Sequence, residues 1–374
     1  MSATKVPTMT LVGLAILAVG AYAVAERSVV PVHADAYRMK LRAVSLMERA
    51  ERAVAAAKRA RGITVDPRND PDGTGLVGPQ FTLITTDRGV QAAKALATHP
   101  NFAAAVTQMM LEAGVRPGDL VAVGMTGSLP GLNLAVLSAC RAMGVRPVIV
   151  TSVGASMFGA TDPDMTWLDM EQACIGAGLW SDRSIAASYG GGGDAGRGLS
   201  PQGRLLIENA IRRSGAIFLD DENVFAAVKR RVAVYDSVAA ARGKPIRVYI
   251  NVGGGVASLG GSQNARLVPA GLTRRLAARN YPNRGVLNVL AERRIPVIQL
   301  LEVEKLARAF SIVDHATGRE AKPGKGLLFI RYQYNLWIVG GAALLVLLVN
   351  VVILRLDIRH QLLGRPHPER SPLP

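Results

Sequence analysis

Two uncharged hydrophobic runs bracket the chain. Residues 6–25 (VPTMTLVGLAILAVGAYAVA) and 332–354 (YQYNLWIVGGAALLVLLVNVVIL) are apolar on every side. Roughly 20 apolar residues suffice to cross a bilayer, so both predict transmembrane helices, flanked by a short tail at 1–5 and a basic tail at 355–374. Tyr334 and Trp337 suit an interfacial position, and Arg355 and Arg359 suit the far side. Lys5 ahead of the first run and Ala23-Val24-Ala25 at its end resemble a signal sequence. That run is therefore either a cleaved leader or a signal anchor.

Between these ends the pattern alternates. Residues 34–61 place Met39, Ala43, Leu46, Ala50, Val54 and Ala57 at steps of three and four, which predicts a helix stopped by Gly62. Arg38, Lys40, Arg42, Arg49, Arg52, Lys58 and Arg59 occupy its other positions. The plain reading of 34–62 is a basic amphipathic stalk helix with a solvated face. The sharper one is a basic strip facing lipid headgroups or an acidic polymer. Residues 66–79 (DPRNDPDGTGLVGP) form a Pro/Gly/Asp loop, and 81–85 read as a short strand. Further strands are expected at 119–124, 147–152, 184–188, 217–219, 247–252 and 297–301. Helices are expected at 89–97, 102–113, 133–143, 166–177, 201–214, 223–242 and 285–292. A strand, glycine loop, helix and strand within about thirty residues is a βαβ crossover, which requires parallel pairing. The fold class expected for 63–325 is thus α/β, a doubly wound and mostly parallel sheet domain between the two terminal helices.

Charge adds a partner class. Lys and Arg outnumber Asp and Glu 44 to 28, a formal net charge of +16, which attracts polyanions and anionic lipid surfaces. No nucleic acid is expected as a partner. The positive-inside tendency puts the tail with Arg355, Arg359, Arg365 and Arg370 in the cytoplasm and the domain outside the inner membrane. Arg38, Lys40 and Arg42 argue the other way, although long domains follow this tendency weakly. Cys140 and Cys174 lie in Ala-rich helical patterns and read as buried free thiols, or as one disulfide in an exported domain. His33, His99, His315, His360 and His367 are scattered, which leaves zinc sites and a catalytic triad without support.

In open parallel sheets, ligands bind beyond the carboxyl ends of the strands. Three glycine-dense loops are expected there. The first is Thr126-Gly127-Ser128-Leu129-Pro130-Gly131 with Asn133, whose amides and hydroxyls suit an anion. It is neither a P-loop nor GxGxxG and identifies no cofactor. It also misses the GxSxG elbow, because Thr126 and Pro130 stand where glycines are needed. The second runs from Ser188 through four glycines to Asp194, Arg197 and Ser200. Arg197 offers a fork for a carboxylate; the plain alternative is a flexible loop with an internal Asp194–Arg197 pair. The third is Gly253-Gly254-Gly255 to Ser258 and Gly261, preceded by Asn251, which suits anion capture by backbone donors. Each of the three is equally readable as a tight turn. Asp162, Asp164, Asp169 and Glu171 fall within ten residues and are candidate ligands for a hard cation, while Thr166 and Asp169 also fit a helix cap. Ser128 is the candidate nucleophile, with no evident base.

The runs VGMTGSLPGLNLAVLSACRAMGVRPVIVTSVGAS, FGATDPDMTWLDME and SYGGGGDAGRGLSPQGR resemble the poly-gamma-glutamate system protein family of bacterial membrane proteins. The resemblance spans about residues 34–310 and the terminal segments. It implies a role beside the membrane proteins that synthesise or export poly-gamma-glutamate, and it carries no known activity or site residue. Three functions follow: an accessory protein binding an acidic polymer or small anionic ligand, an amide hydrolase or transferase acting on the polymer, or a small-ligand receptor.

Overall fold

The structure, a computed structural model, describes residues 8–314 and 317–363, with side chains as far as Arg355. The N-terminal tail, His315, the side chains of Arg359 and His360, and Arg365, His367 and Arg370 lie outside that description. The described chain forms two compact units, one made of its two ends and one of Asp35–Phe329.

In the terminal unit, helix α1 (Thr8–Glu26) leads into strand β1 (Val29–His33). At the other end of the chain, strand β11 (Ile330–Tyr334) leads into helix α12 (Leu336–Leu363). β1 and β11 form an antiparallel ladder from Val29 opposite Tyr334 to His33 opposite Ile330. The expected span at 332–354 is thus corrected at its start. Residues 332–334 belong to the ladder, and the Asn335 side chain accepts from the Trp337 amide (3.1 Å) to open α12. Over Thr8–Glu26 and Leu336–Arg355 both helices are long and apolar enough to cross a membrane, and none of either apolar stretch is buried in the protein.

The second unit begins with α2 (Tyr37–Ala60), and β2 (Thr85–Asp87), α3 (Gln91–Leu96) and α4 (Asn101–Glu112) follow. Then come β3 (Leu120–Thr126), α5 (Pro130–Met143), β4 (Arg146–Ser152), β5 (Ala155–Ser156), α6 (Trp167–Gly176) and β6 (Ser184–Ser188). The chain continues through α7 (Pro201–Ser214), β7 (Ile217–Phe218), α8 (Val224–Arg242), β8 (Ile246–Val252) and α9 (Val256–Leu259). It closes with β9 (Gly271–Thr273), α10 (Val286–Glu292), β10 (Val297–Leu300) and α11 (Val303–Ala309). Residues 81–84 form no strand where one was expected, with a turn at 83–84, and pairing starts only at Thr85. The turn leaves Phe81 and Leu83 exposed. β9 and α11 have no counterpart in the sequence expectation.

Seven strands form one sheet in the order β7-β6-β4-β3-β8-β10-β9. All neighbours are parallel except β9, which runs antiparallel to β10. Every residue of β3 is buried, as a central strand covered on both faces requires. Leu120, Ala122, Val148 and Val150 pack against Val228, Val232 and Tyr235 of α8 and Leu287 and Leu290 of α10. Helix ends follow local chemistry. Ser200 accepts from the Gly203 amide at the start of α7 (3.0 Å), and Asn223 accepts from the Ala226 amide at the start of α8 (3.0 Å). Gly144, Gly215 and Gly243 close α5, α7 and α8 in the left-handed region, where a side chain would be strained.

The expected stalk helix is corrected. α2 packs against α4, α5 and α6, burying Ala43, Met47, Ala50 and Val54. Arg38, Arg42, Arg49, Arg52 and Arg59 face solvent, while Lys40 and Lys58 are buried. Lys40 donates to the Leu328 carbonyl (3.0 Å). Cys140 and Cys174 are buried free thiols, and burial pushes the Cys174 thiol up to about 12. If α2 is core, Met47→Ala should destabilise the protein by ~2–5 kcal/mol, as large-to-small core changes do. Denaturant unfolding of the detergent-solubilised protein measures this, and an unchanged midpoint would return α2 to a free stalk.

Candidate functional site

The strand order fixes where a ligand fits. From β3 the chain builds outward through β4, β6 and β7 on one side, and β8 and β10 lie on the other. The loops leaving β3 and β8 therefore diverge, and the crevice between them is the usual binding place in such sheets. A cleft of ≈ 820 Å³ opens there, within the range of small-molecule sites.

All three glycine loops reach it. Thr126 and Ser128 come from the first, Gly190–Gly192 and Arg197 from the second, and Gly253–Gly255 from the third. Close packing explains the composition. A Cβ on Gly127 would sit 2.3 Å from the Val153 carbonyl, and one on Gly253, already at φ +85°, would sit 2.3 Å from Thr126 Oγ1. Thr126 Oγ1 donates to the Val252 carbonyl (3.2 Å) and accepts from the Ser128 amide (3.3 Å), tying the first loop to the third.

Several candidates support the cleft from below instead of lining it. Asn133 is buried and donates to the Thr126 carbonyl (2.9 Å). Asn251 donates to Gln299 Oε1 (2.6 Å) and to the Gly253 carbonyl (2.8 Å), bracing the turn. Ser258 is buried against the Tyr249 hydroxyl. Gly254 lines the cleft. Ser128 Oγ accepts from the Ser156 amide (3.0 Å).

Asp194 and Arg197 do not pair with each other. Asp194 and Arg231 of α8, each 2% exposed, form an ion pair of 2.8 Å. Ser152 donates to Asp194 (2.8 Å), and Arg231 donates to Ser152 (3.0 Å) and Ser188 (2.7 Å). Burial drives the Arg231 guanidinium toward neutrality; Asp194, together with Tyr235 and Tyr249, offsets it, and the pKa ends above the ordinary arginine value. The second loop is thereby fastened, with Gly196 donating to the Gly190 carbonyl (2.8 Å), and is not the flexible stretch its composition suggests. Arg197 is exposed, lies against Gly193 and donates to the Glu222 carbonyl (3.2 Å).

The acidic run forms a cap. Asp169 accepts from the Thr166 amide (3.0 Å) and hydroxyl (2.7 Å), and Arg61 (3.2 Å) and Arg213 (3.1 Å) pair with it. Asp162 accepts from the Asp164 amide (2.9 Å). Glu171 is buried instead against Ser184, with its pKa pushed up to about 7 by burial. Among the described residues no group of three or more His, Cys, Asp or Glu could hold a metal ion.

Lys94 is a cleft residue that no motif in the sequence marks. It lines the cleft with 8% exposure. Its ammonium donates to Ser156 Oγ (2.7 Å) and to the Ser128 carbonyl. Burial lowers its pKa from 10.5 to about 8, and among the described residues no carboxylate acts on it. The charged residues lining the cleft are Asp87, Arg88, Lys94 and Arg197, three cations to one carboxylate. Its only sequence signal is that Lys94 is the single charge in the alanine-rich QAAKAL helix.

Arg231→Met should destabilise the protein by ~3–5 kcal/mol, because Asp194 is left buried without a counter-charge. Adding Asp194→Asn, which tolerates the left-handed backbone found there (φ 63°), should restore much of that loss in denaturant unfolding. Equal losses in the single and double variants would contradict a charge effect. No family model, no curated protein and no solved structure matches the chain.

Proposed function

We propose that this chain is a membrane-anchored protein whose α/β domain binds an anionic ligand, a carboxylate or phosphate, in the cleft between β3 and β8. The observation that carries the reading is Lys94, a buried ammonium without a carboxylate partner on the cleft wall. An unpaired buried charge is unfavourable, and an anion in the cleft completes it. Arg88, Arg197 and the backbone of the glycine loops add to the same preference.

The sheet is read as doubly wound, with α2, α4, α5 and α6 forming one layer and α8 and α10 the other. The terminal helices are read as inner-membrane spans with the domain extracytoplasmic. Arg355, Arg359, Arg365 and Arg370, all beyond the apolar stretch, support that orientation. The motif resemblance supports an accessory role in poly-gamma-glutamate synthesis or export, alongside the membrane proteins that carry it out.

A second reading has one observation in its favour. Lys94 Nζ lies 2.7 Å from Ser156 Oγ, and a lysine of lowered pKa beside a hydroxyl is a way to activate a nucleophile. This amide hydrolase or transferase would use Ser156 in place of Ser128. It needs neutral Lys94, whereas anion binding needs the ammonium, so pH separates the two.

Titrating the full-length protein in detergent with glutarate and with inorganic phosphate tests the first reading. At least one should bind, with affinity level below pH 7 and falling about tenfold per pH unit above about 8 as Lys94 loses its proton. Lys94→Met should weaken binding roughly tenfold or more, the worth of a charge-assisted hydrogen bond, and Ser156→Ala should leave it nearly unchanged. No binding of either anion would overturn the reading. Cleavage of glutamate oligomers that rises through pH 8 and disappears in Ser156→Ala would establish the second.

A further inference from the structure

The cleft does not end at Arg197. A second hollow of ≈ 930 Å³ adjoins it, and the two share Arg197, Val224 and Asn283 as lining residues. Its outer wall is the segment from Leu276 to Arg284, which runs toward the start of α10. The hollow is built of donors and apolar surface with little negative charge. Glu292, its one carboxylate, is already paired with Arg284 (2.5 Å). Arg279 is exposed beside it, and the exposed Phe225 ring stands at its rim.

Two polar side chains beside the second hollow each have a donor without a partner among the described residues. Asn288 is 3% exposed, and its Oδ1 accepts from the Gly285 amide (3.0 Å). Its Nδ2 is buried and donates to no group among the described residues. The buried Tyr281 hydroxyl likewise has no partner there. A buried donor without an acceptor is unfavourable by about 1–3 kcal/mol, and both residues line the hollow. Neither Asn288 nor Tyr281 belongs to the first cleft, so this observation is independent of Lys94.

We infer that the two hollows form one groove for a linear chain bearing anionic groups at intervals. One anion sits by Lys94, Arg197 lies at the junction, and a second anionic group reaches the exposed Arg279, beside Asn288 and Tyr281. This rests on the anion-binding reading and extends it, because a ligand with a single anionic group fills only the first cleft. Engaging both hollows makes the second contact intramolecular, so affinity grows with ligand length until both are spanned.

The test is a titration of the full-length protein in detergent with L-glutamate dimer and octamer, and with pyrophosphate and a polyphosphate of about eight units. Within at least one series, the longer probe should bind roughly tenfold or more tightly than the shorter. Arg279→Glu and Phe225→Ala, both surface changes, should bring the longer probe down to the affinity of the shorter and leave the shorter unchanged. The series that shows the effect distinguishes a polycarboxylate from a polyphosphate. Equal affinity for short and long probes, or no effect of Arg279→Glu on the long one, would overturn the groove. Failure of the short probes to bind the first cleft would overturn the anion reading itself.

Discussion

The order in which strands leave β3 and β8 constrains everything at the candidate site. β4 and its successors lie to one side of β3, and β8 and β10 lie to the other, so the chain cannot cover the crevice between them. The loops that leave these strands pack backbone against backbone at close range. That is why glycine recurs there. Gly127 and Gly253 let backbones approach where any Cβ would collide, and the hydrogen bonds of Thr126 join the two diverging loops.

A second device fixes the loop after β6. Asp194 and Arg231 are removed from water together, and Ser152 and Ser188 share their hydrogen bonds. Such a pair contributes little to net stability against an apolar substitute. Its consequence is positional. It fastens a glycine-rich stretch between the sheet and α8, and leaves Arg197 on the outer side facing the cleft. The Arg231 guanidinium is paired with a carboxylate, whereas the Lys94 ammonium meets, among the described residues, only the Ser156 hydroxyl and the Ser128 carbonyl, and the proposed anion site rests on that asymmetry.

Long apolar strands and amphipathic helices were legible in the sequence because their signal is local. β6 and α7 fall at the expected residues, and β3, β4, β8 and α8 within one or two. β1 and β11 were not legible, since each exists only by pairing with a segment 300 residues away. β5 and β9 likewise exist only by pairing, β5 with β2 and β9 with β10. α2 keeps the expected helix and solvated basic face but is no stalk, because its apolar stripe, which carries Lys40 and Lys58, packs against α4, α5 and α6. Arg231 was readable on that ground. It continues the stripe of Ala227, Val228, Val232 and Tyr235, where an arginine is buried and must find a carboxylate. The three glycine loops are visible in composition, but composition does not show that Asn133, Asp194, Asn251 and Ser258 are buried and hydrogen-bonded within the protein beneath them. Lys94 left almost no trace, because its role depends on a cleft that no local pattern describes.

The most direct measurement is the titration of the Lys94 side chain itself, followed by the NMR chemical shift of its labelled ε-carbon in the full-length protein, with and without inorganic phosphate or glutarate. The expected result is a pKa near 8 in the free protein that moves upward when an anion occupies the cleft. A pKa at the ordinary lysine value, unmoved by either anion, would contradict the account.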